Sequence, residues 1–160
     1  MAHQRTTAPP PPPVVELRVR PAKGEDLRAV VALDAENTGV SKLAYWKDRF
    51  EWYAGRQPDR FFLVGEREGH VVGYIVGEVR AWEFGSPPAG WIFAIDVSRT
   101  VRQHGLGTKL FDEICARFRK AGVDRVRTML AKDEHLIMSF FRSQGMMGGP
   151  FIQLEKELDP

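Results

Sequence analysis

The 160-residue chain has one cysteine, Cys115, so no internal disulfide can form and a cysteine-based metal site is not expected. It has no apolar run approaching the ~20 residues that a membrane-spanning helix needs. It has almost no excess charge: 23 basic residues stand against 21 acidic ones, a net charge of +2, which gives no push toward nucleic acid or a membrane surface. The apolar core of a signal peptide is missing too, because Met1 to Thr7 leads straight into Ala8 and the prolines Pro9 to Pro13. Together these gaps point to a reducing, cytoplasmic home, with no metal, nucleic-acid or membrane partner. Consecutive prolines favour an extended, hydrated segment, so residues 1–13 are expected to be a disordered Pro-rich tail. Residues 14–160 are long enough for a single domain with a full-sized core.

What the chain does have is concentrated between Trp91 and Gly122. Trp91 to Val97, WIFAIDV, is an apolar, β-branched and aromatic run interrupted only by Asp96, which predicts a mostly buried strand. A tight stretch, Arg102-Gln103-His104-Gly105-Leu106-Gly107, follows. From there Leu106, Leu110, Phe111, Ile114, Cys115 and Phe118 fall on one helical face, and Gly122 after the basic residues Arg117, Arg119 and Lys120 supplies the stop. On that face Cys115 is read as a packing residue rather than a nucleophile.

A helix start exposes unpaired N–H groups and the positive end of the helix dipole, so it binds phosphate oxygens. Gly105 and Gly107 remove the β-carbons that would hold a pyrophosphate away from those groups, and Arg102 adds a cation. A dinucleotide fingerprint is excluded because Leu110 stands where its third glycine belongs, and no GK[ST] P-loop is present.

The pattern Val97-x4-Arg102-x2-Gly105-x-Gly107 resembles the acetyl-CoA signature of the GNAT superfamily of N-acetyltransferases, and the resemblance runs from about Leu17 to Leu158. It implies an α/β fold, a mixed central sheet flanked by helices in the order β-α-α-β-β-β-α-β-α-β, and acetyl transfer from acetyl-CoA to an amine. It assigns the CoA to Ile95 and Val97 of the strand, to Arg102, Gln103, His104, Gly105, Leu106, Gly107 and Thr108 of the turn, and to Phe141 of a late helix.

The remaining elements are read in the same order. Val14 to Arg20 is a first strand stopped by Pro21; Leu27 to Leu33 is a short amphipathic helix, and Asp34 to Lys42 a loop. Ala44 to Arg56 is a second helix rich in aromatics. Tyr45, Trp46, Trp52 and Tyr53 belong to it, read as core, although in the family this helix walls the acceptor pocket. Phe61 to Glu66 and Val71 to Trp82 form a hairpin across Arg67-Glu68-Gly69-His70, with bulges expected near Gly73 and Gly77. Val123 to Leu130 is a fifth strand, Leu136 to Arg142 a short helix, and Phe151 to Leu158 a final strand.

Acetylation of an amine needs a group that takes its proton. The family often places this base at the start of the fourth strand, where this chain has Trp91, so Glu83, at the neighbouring end of the third strand, is the first candidate. Asp96 is the second, as a carboxylate inside an apolar strand that is either paired or lines a polar cleft. Glu78 and His70 are read as exposed. Family members often carry a tyrosine acid where this chain has Phe141. The reading is therefore an acetyl-CoA-dependent N-acetyltransferase acting on a protein lysine. The alternatives are a small-molecule amine acceptor and a non-catalytic acyl-CoA sensor, and a homodimer is left open.

Overall fold

A computed structural model describes residues 16–55 and 57–158. The proline tail, Val14, Val15 and Arg56 lie outside the described residues. The chain divides into two compact units, Met1–Thr128 and Met129–Pro160.

The first unit holds a five-stranded sheet in sequential order: β1 (Leu17–Pro21), β2 (Arg60–Arg67), β3 (His70–Arg80), β4 (Ala89–Val97) and β5 (Val126–Arg127). β1 through β4 pair antiparallel, and β4 with β5 is parallel. The parallel pair follows from its connection, since α3 (Leu106–Lys120) carries the chain back along the sheet before β5 begins. The β2–β3 hairpin closes where expected, with Glu68 (φ 52°) and Gly69 (φ 79°) both left-handed, as a two-residue primed turn requires.

Alternation along the strands divides the core in two. Phe62, Val64, Tyr74 and Val76 face α1 (Leu27–Thr38) and α2 (Leu43–Tyr53), where they bury Val30, Leu33, Trp46 and Phe50. Trp46 meets Tyr74 edge-on at 5.0 Å, and Phe50 lies 4.4 Å from Phe62. The other face takes the apolar side of α3, whose Leu106, Leu110, Ile114 and Phe118 are fully buried. Phe118 presses so closely on β4 that a β-carbon at Gly90 would stand 2.5 Å from its ring.

Buried carboxylates lock these layers. Asp34 of α1 accepts bonds from the Trp46 indole at 2.9 Å and the Lys42 ammonium at 3.0 Å, tying α1 to α2. Asp26, ahead of α1, receives a two-pronged bond from Arg20 of β1 at 2.7 and 2.8 Å, and Arg20 also reaches Glu66 of β2 at 2.6 Å. Burial pushes the Asp26 carboxyl up, but the Arg20 bonds and the Lys23 N–H outweigh it and hold the group below its ordinary range.

Several boundaries differ from the sequence reading. α1 continues through Asn37 and Thr38 rather than ending at Leu33, because the Thr38 hydroxyl bonds back to the Asp34 carbonyl at 2.8 Å and Gly39 (φ 73°) provides the left-handed stop. β5 is two residues long instead of eight. The second unit contains α4 (His135–Ser143), but Phe151 to Leu158, expected as a strand, joins no ladder among the described residues. Its Phe151, Ile152, Leu154 and Leu158 side chains are exposed. An alternating pattern becomes a strand only where it joins a ladder with a neighbouring strand, and among the described residues it joins none.

Two stability measurements check this packing. Gly90→Ala is expected to cost about 1–3 kcal/mol in urea unfolding, because the Phe118 ring must give way; Phe118→Leu in the same background should recover part of the loss. Asp26 has its folded-state pKa depressed, so its contribution is present above the ordinary carboxylate pKa and is lost as the pH falls through the folded value. Asp26→Asn should therefore lower stability at neutral pH by about 1–3 kcal/mol, with the gap to the parent closing below roughly pH 4.

Candidate active site

Strand β4 changes character halfway along. Its register with β3 runs Ile75 opposite Ile95 and Val76 opposite Ala94, then jumps to Gly77 opposite Ile92. Phe93 is the extra residue of a β-bulge, and it sits beside Gly77, one of the two positions where the glycines suggested one. A second shift pairs Gly65 with Gly73 and then Glu66 with Val71, so Val72 is the extra residue, next to Gly73, the other of those positions.

On its other side β4 loses its neighbour at the same level. Only Gly90 and Trp91 pair with β5, opposite Val126 and Arg127. At the next step the Thr128 hydroxyl, not a backbone N–H, bonds the Ile92 carbonyl at 2.8 Å. From Phe93 to Val97 the β5 side of β4 therefore has no strand against it among the described residues. The result is an open backbone edge in the middle of the first unit, including the predicted positions Ile95 and Val97.

That edge leads into the glycine turn. Arg102–His104 forms a single helical turn, Gly105 is left-handed at φ 76°, and α3 starts at Leu106. Only glycine takes that conformation without strain, so Gly105 sets the angle at which α3 begins. Gln103, His104, Gly105 and Thr108 are exposed, Gly107 is half-buried, and Leu106 is buried as the first core residue of the helix. Arg102 was expected to add a cation to the phosphate-binding turn. Its guanidinium instead donates to the Val97 carbonyl at 3.1 Å and to the Asn37 side-chain oxygen at 2.8 Å, which ties the turn to the end of α1.

Asp96 completes this tie. It accepts from the Asn37 amide and from the Val97 N–H, and lies 3.8 Å from the Arg102 guanidinium. Burial pushes its carboxyl above the usual range, while Asn37, Val97 and Arg102 pull it back. With its side chain only 14% exposed and engaged from three directions, Asp96 holds β4, α1 and the turn together.

The other candidate base, Glu83, lies in a short helical turn beyond β3 with its side chain 53% exposed, 3.5 Å from Arg80. It does not line the recess beside the bulge. Glu78 does, contrary to its reading as an exposed residue. Its side chain is 21% exposed, and it accepts a 2.8 Å bond from the Tyr53 hydroxyl of α2. The recess is about 250 Å³ and open on one side. Phe93 of the bulge forms a wall, with its ring 5.0 Å from that of Tyr53, and Trp91 forms another beneath the Arg80 guanidinium at 5.1 Å. Burial, then the bond to Glu78, pushes the Tyr53 phenol up to about 12, so it keeps its proton and donates. Of the aromatics on α2, Trp46 is core, Tyr45 and Tyr53 line the recess, and Trp52 is exposed beneath Arg60.

Phe141 of α4 is buried and belongs to the second unit. Cys115 is half-buried in α3, and burial raises its thiol, which suits packing. No group of three or more His, Cys, Asp or Glu side chains suited to a metal ion occurs among the described residues, and no helix there is long and apolar enough to cross a membrane.

Comparison with known proteins agrees with this architecture. A curated relative, the L-2,4-diaminobutyric acid acetyltransferase of Nocardia farcinica, is 28% identical over 95 residues, covering 59% of this chain and 47% of that protein. The chain thus spans about half the length of that relative. An aminoglycoside N-acetyltransferase solved in complex with CoA superposes with a TM-score of 0.78 at 11% identity, covering 91% of this chain and 97% of the other. An aminoglycoside 6'-N-acetyltransferase from Acinetobacter baumannii gives 0.74 at 13% identity, covering 90% and 100%. At such low identity these structures establish the fold. A model of the acetyltransferase (GNAT) family matches residues 27–146, three quarters of the chain, and the protein belongs to that family.

Proposed function

We propose that this protein is an acetyl-CoA-dependent N-acetyltransferase whose acceptor is the primary amine of a small molecule. The observation that carries the reading is the placement of Glu78 and Tyr53 in an aromatic recess whose wall, Phe93, is also the bulge residue of the open β4 edge.

The residues present suit acetyl-CoA. An open strand edge from Phe93 to Val97 offers backbone groups to an extended chain bearing amides, and the left-handed Gly105 delivers that edge into a helix start able to take a pyrophosphate. When bound, acetyl-CoA supplies an acyl thioester: a C–N bond forms to the amine, the C–S bond breaks, and the proton lost by the amine balances the thiolate released. Glu78 takes that proton, directly or through one water, and the Tyr53 hydroxyl keeps the carboxylate oriented toward the recess. The N–H groups of the bulged strand are the donors available to an oxygen that gains charge during transfer. Arg102 and Asp96 act as positioning residues, setting the turn against β4 and α1. Phe141 has no proton to give, so the thiolate is protonated from solvent.

A small acceptor is favoured over a protein lysine by the size of the recess and by its relatives, among them an acetyltransferase named for diaminobutyric acid and others for aminoglycosides. Protein lysine acetylation, a cytoplasmic location and a homodimer remain readings of the sequence.

Thiol release from acetyl-CoA, measured over a panel of small amines and lysine peptides, tests this. The expected outcome is turnover on a small amine, with Glu78→Gln lowering kcat by about 100-fold or more while acetyl-CoA affinity is kept. A Gly105→Glu, Gly107→Glu double variant should abolish acetyl-CoA binding in calorimetry. Acetyl-CoA binding without release on any amine would turn the reading to a sensor, and release confined to peptides would return it to protein lysine.

A further inference from the structure

The recess holds more charge than an amine requires. Glu78 and Arg80 are two apart on β3 and so point to one face, and Arg49 enters from α2 on the opposite wall. The Arg49 guanidinium lies over the Tyr45 and Tyr53 rings at 5.6 and 5.8 Å, and that of Arg80 lies over Trp91. Two guanidinium groups and one carboxylate therefore line a single recess of about 250 Å³.

We propose that the acceptor carries a carboxylate as well as its amine, with Arg49 and Arg80 holding the carboxylate while Glu78 holds the amine. This rests on the acetyltransferase reading above and narrows its substrate class to short amino acids bearing a second amine, or similar amino-carboxylates.

The chemistry of the walls supports the assignment. A guanidinium fork presents five N–H donors in a plane that matches a carboxylate. Arg80 pairs through its Nε with Glu78 at 3.3 Å and Glu83 at 3.5 Å, and its guanidinium lies 5.1 Å from the centre of the Trp91 ring, so its terminal N–H groups are the ones offered to a carboxylate. Asp48 on the same helix accepts from the Arg49 Nε at 3.1 Å and from its Nη2, which leaves the Nη1 side of the guanidinium for a ligand. These acidic neighbours orient the forks, and Asp48 and Glu83 do not themselves line the recess. Tyr53, Phe93 and Trp91 supply apolar surface for the few methylenes of such a substrate. A polycationic acceptor, by contrast, would bring further ammonium groups against Arg49 and Arg80, a like-charge contact that disfavours it. The volume also falls below the ~300–1,000 Å³ typical of sites for larger ligands.

Matched probes test this: 2,4-diaminobutyrate against 1,3-diaminopropane, and ornithine against 1,4-diaminobutane, each pair differing only by the carboxylate. In thiol-release assays, kcat/KM should be at least about tenfold higher for the carboxylated member, with the difference carried by KM. In Arg80→Gln and Arg49→Gln the KM for that member should rise and the ratio within each pair should fall toward one. Far-ultraviolet circular dichroism and acetyl-CoA affinity, measured on the same samples, report whether fold and turn are intact. Equal use of both members, preference for the diamine, turnover only on amines without a carboxylate, or a ratio unmoved in both intact variants would overturn the proposal while leaving the acetyltransferase reading standing. No release with any amine would overturn both.

Discussion

The parting of β4 from β5 after Trp91 is the constraint on which the rest of this unit depends. A central strand normally satisfies its backbone on both sides, and an unpaired row of N–H and C=O groups is costly unless water or a ligand meets it. Here the ladder is cut at one level by three features acting together. Phe93 bulges out on the β3 side, β5 stops at Arg127, and the Thr128 hydroxyl caps the Ile92 carbonyl. The edge so opened runs from the aromatic recess at one end to the Gly105 turn at the other, so one defect in one strand brings the recess and the glycine turn into line.

Holding such a defect open requires that everything around it be rigid. The aromatic layer under α1 and α2 and the close seat of Phe118 against Gly90 fix the sheet from both faces. The polar ties lie where packing alone leaves freedom. Asp34 joins α1 to α2, Arg20 and Asp26 join the start of α1 to the sheet edge, and the Asp96, Asn37 and Arg102 group joins the end of α1 to β4 and the turn. A buried carboxylate without partners would raise its own pKa and weaken the fold. Asp96 shows that pull directly, since burial lifts it even with three donors around it. Its position inside an apolar strand, which suggested a base, is thus explained by structure.

The sequence made the elements legible unevenly. The β4, turn and α3 segment was readable in outline, because an apolar β-branched run, a glycine pair and a helical period follow one another. Glu78 was not. Alternation places it on the face of Tyr74 and Val76, but both faces of this sheet are covered, so the period of two could not say which side held a recess. The end of α1 was misread for a local reason: Asp34, Asn37 and Thr38 favour loops by bonding their own backbone, yet here their side chains find partners in α2, β4 and the helix itself. Phe151 to Leu158 shows the reverse error, a strand pattern that joins no ladder among the described residues.

By itself the sequence determined the mixed α/β character, the hairpin at Glu68-Gly69, the helix start at Leu106 and the family to which the chain belongs. Each of these is written in residues close together in the chain, where backbone sterics and periodicity act over a few positions. Which carboxylate lines the recess, where Arg102 points, and how far β5 accompanies β4 were decided only by tertiary structure. They depend on Tyr53, Asn37 and Thr128, residues that lie 25, 65 and 36 positions from their partners Glu78, Arg102 and Ile92. No local rule of spacing reaches that far; only the packing of α1, α2 and α3 on the two faces of the sheet brings those side chains together.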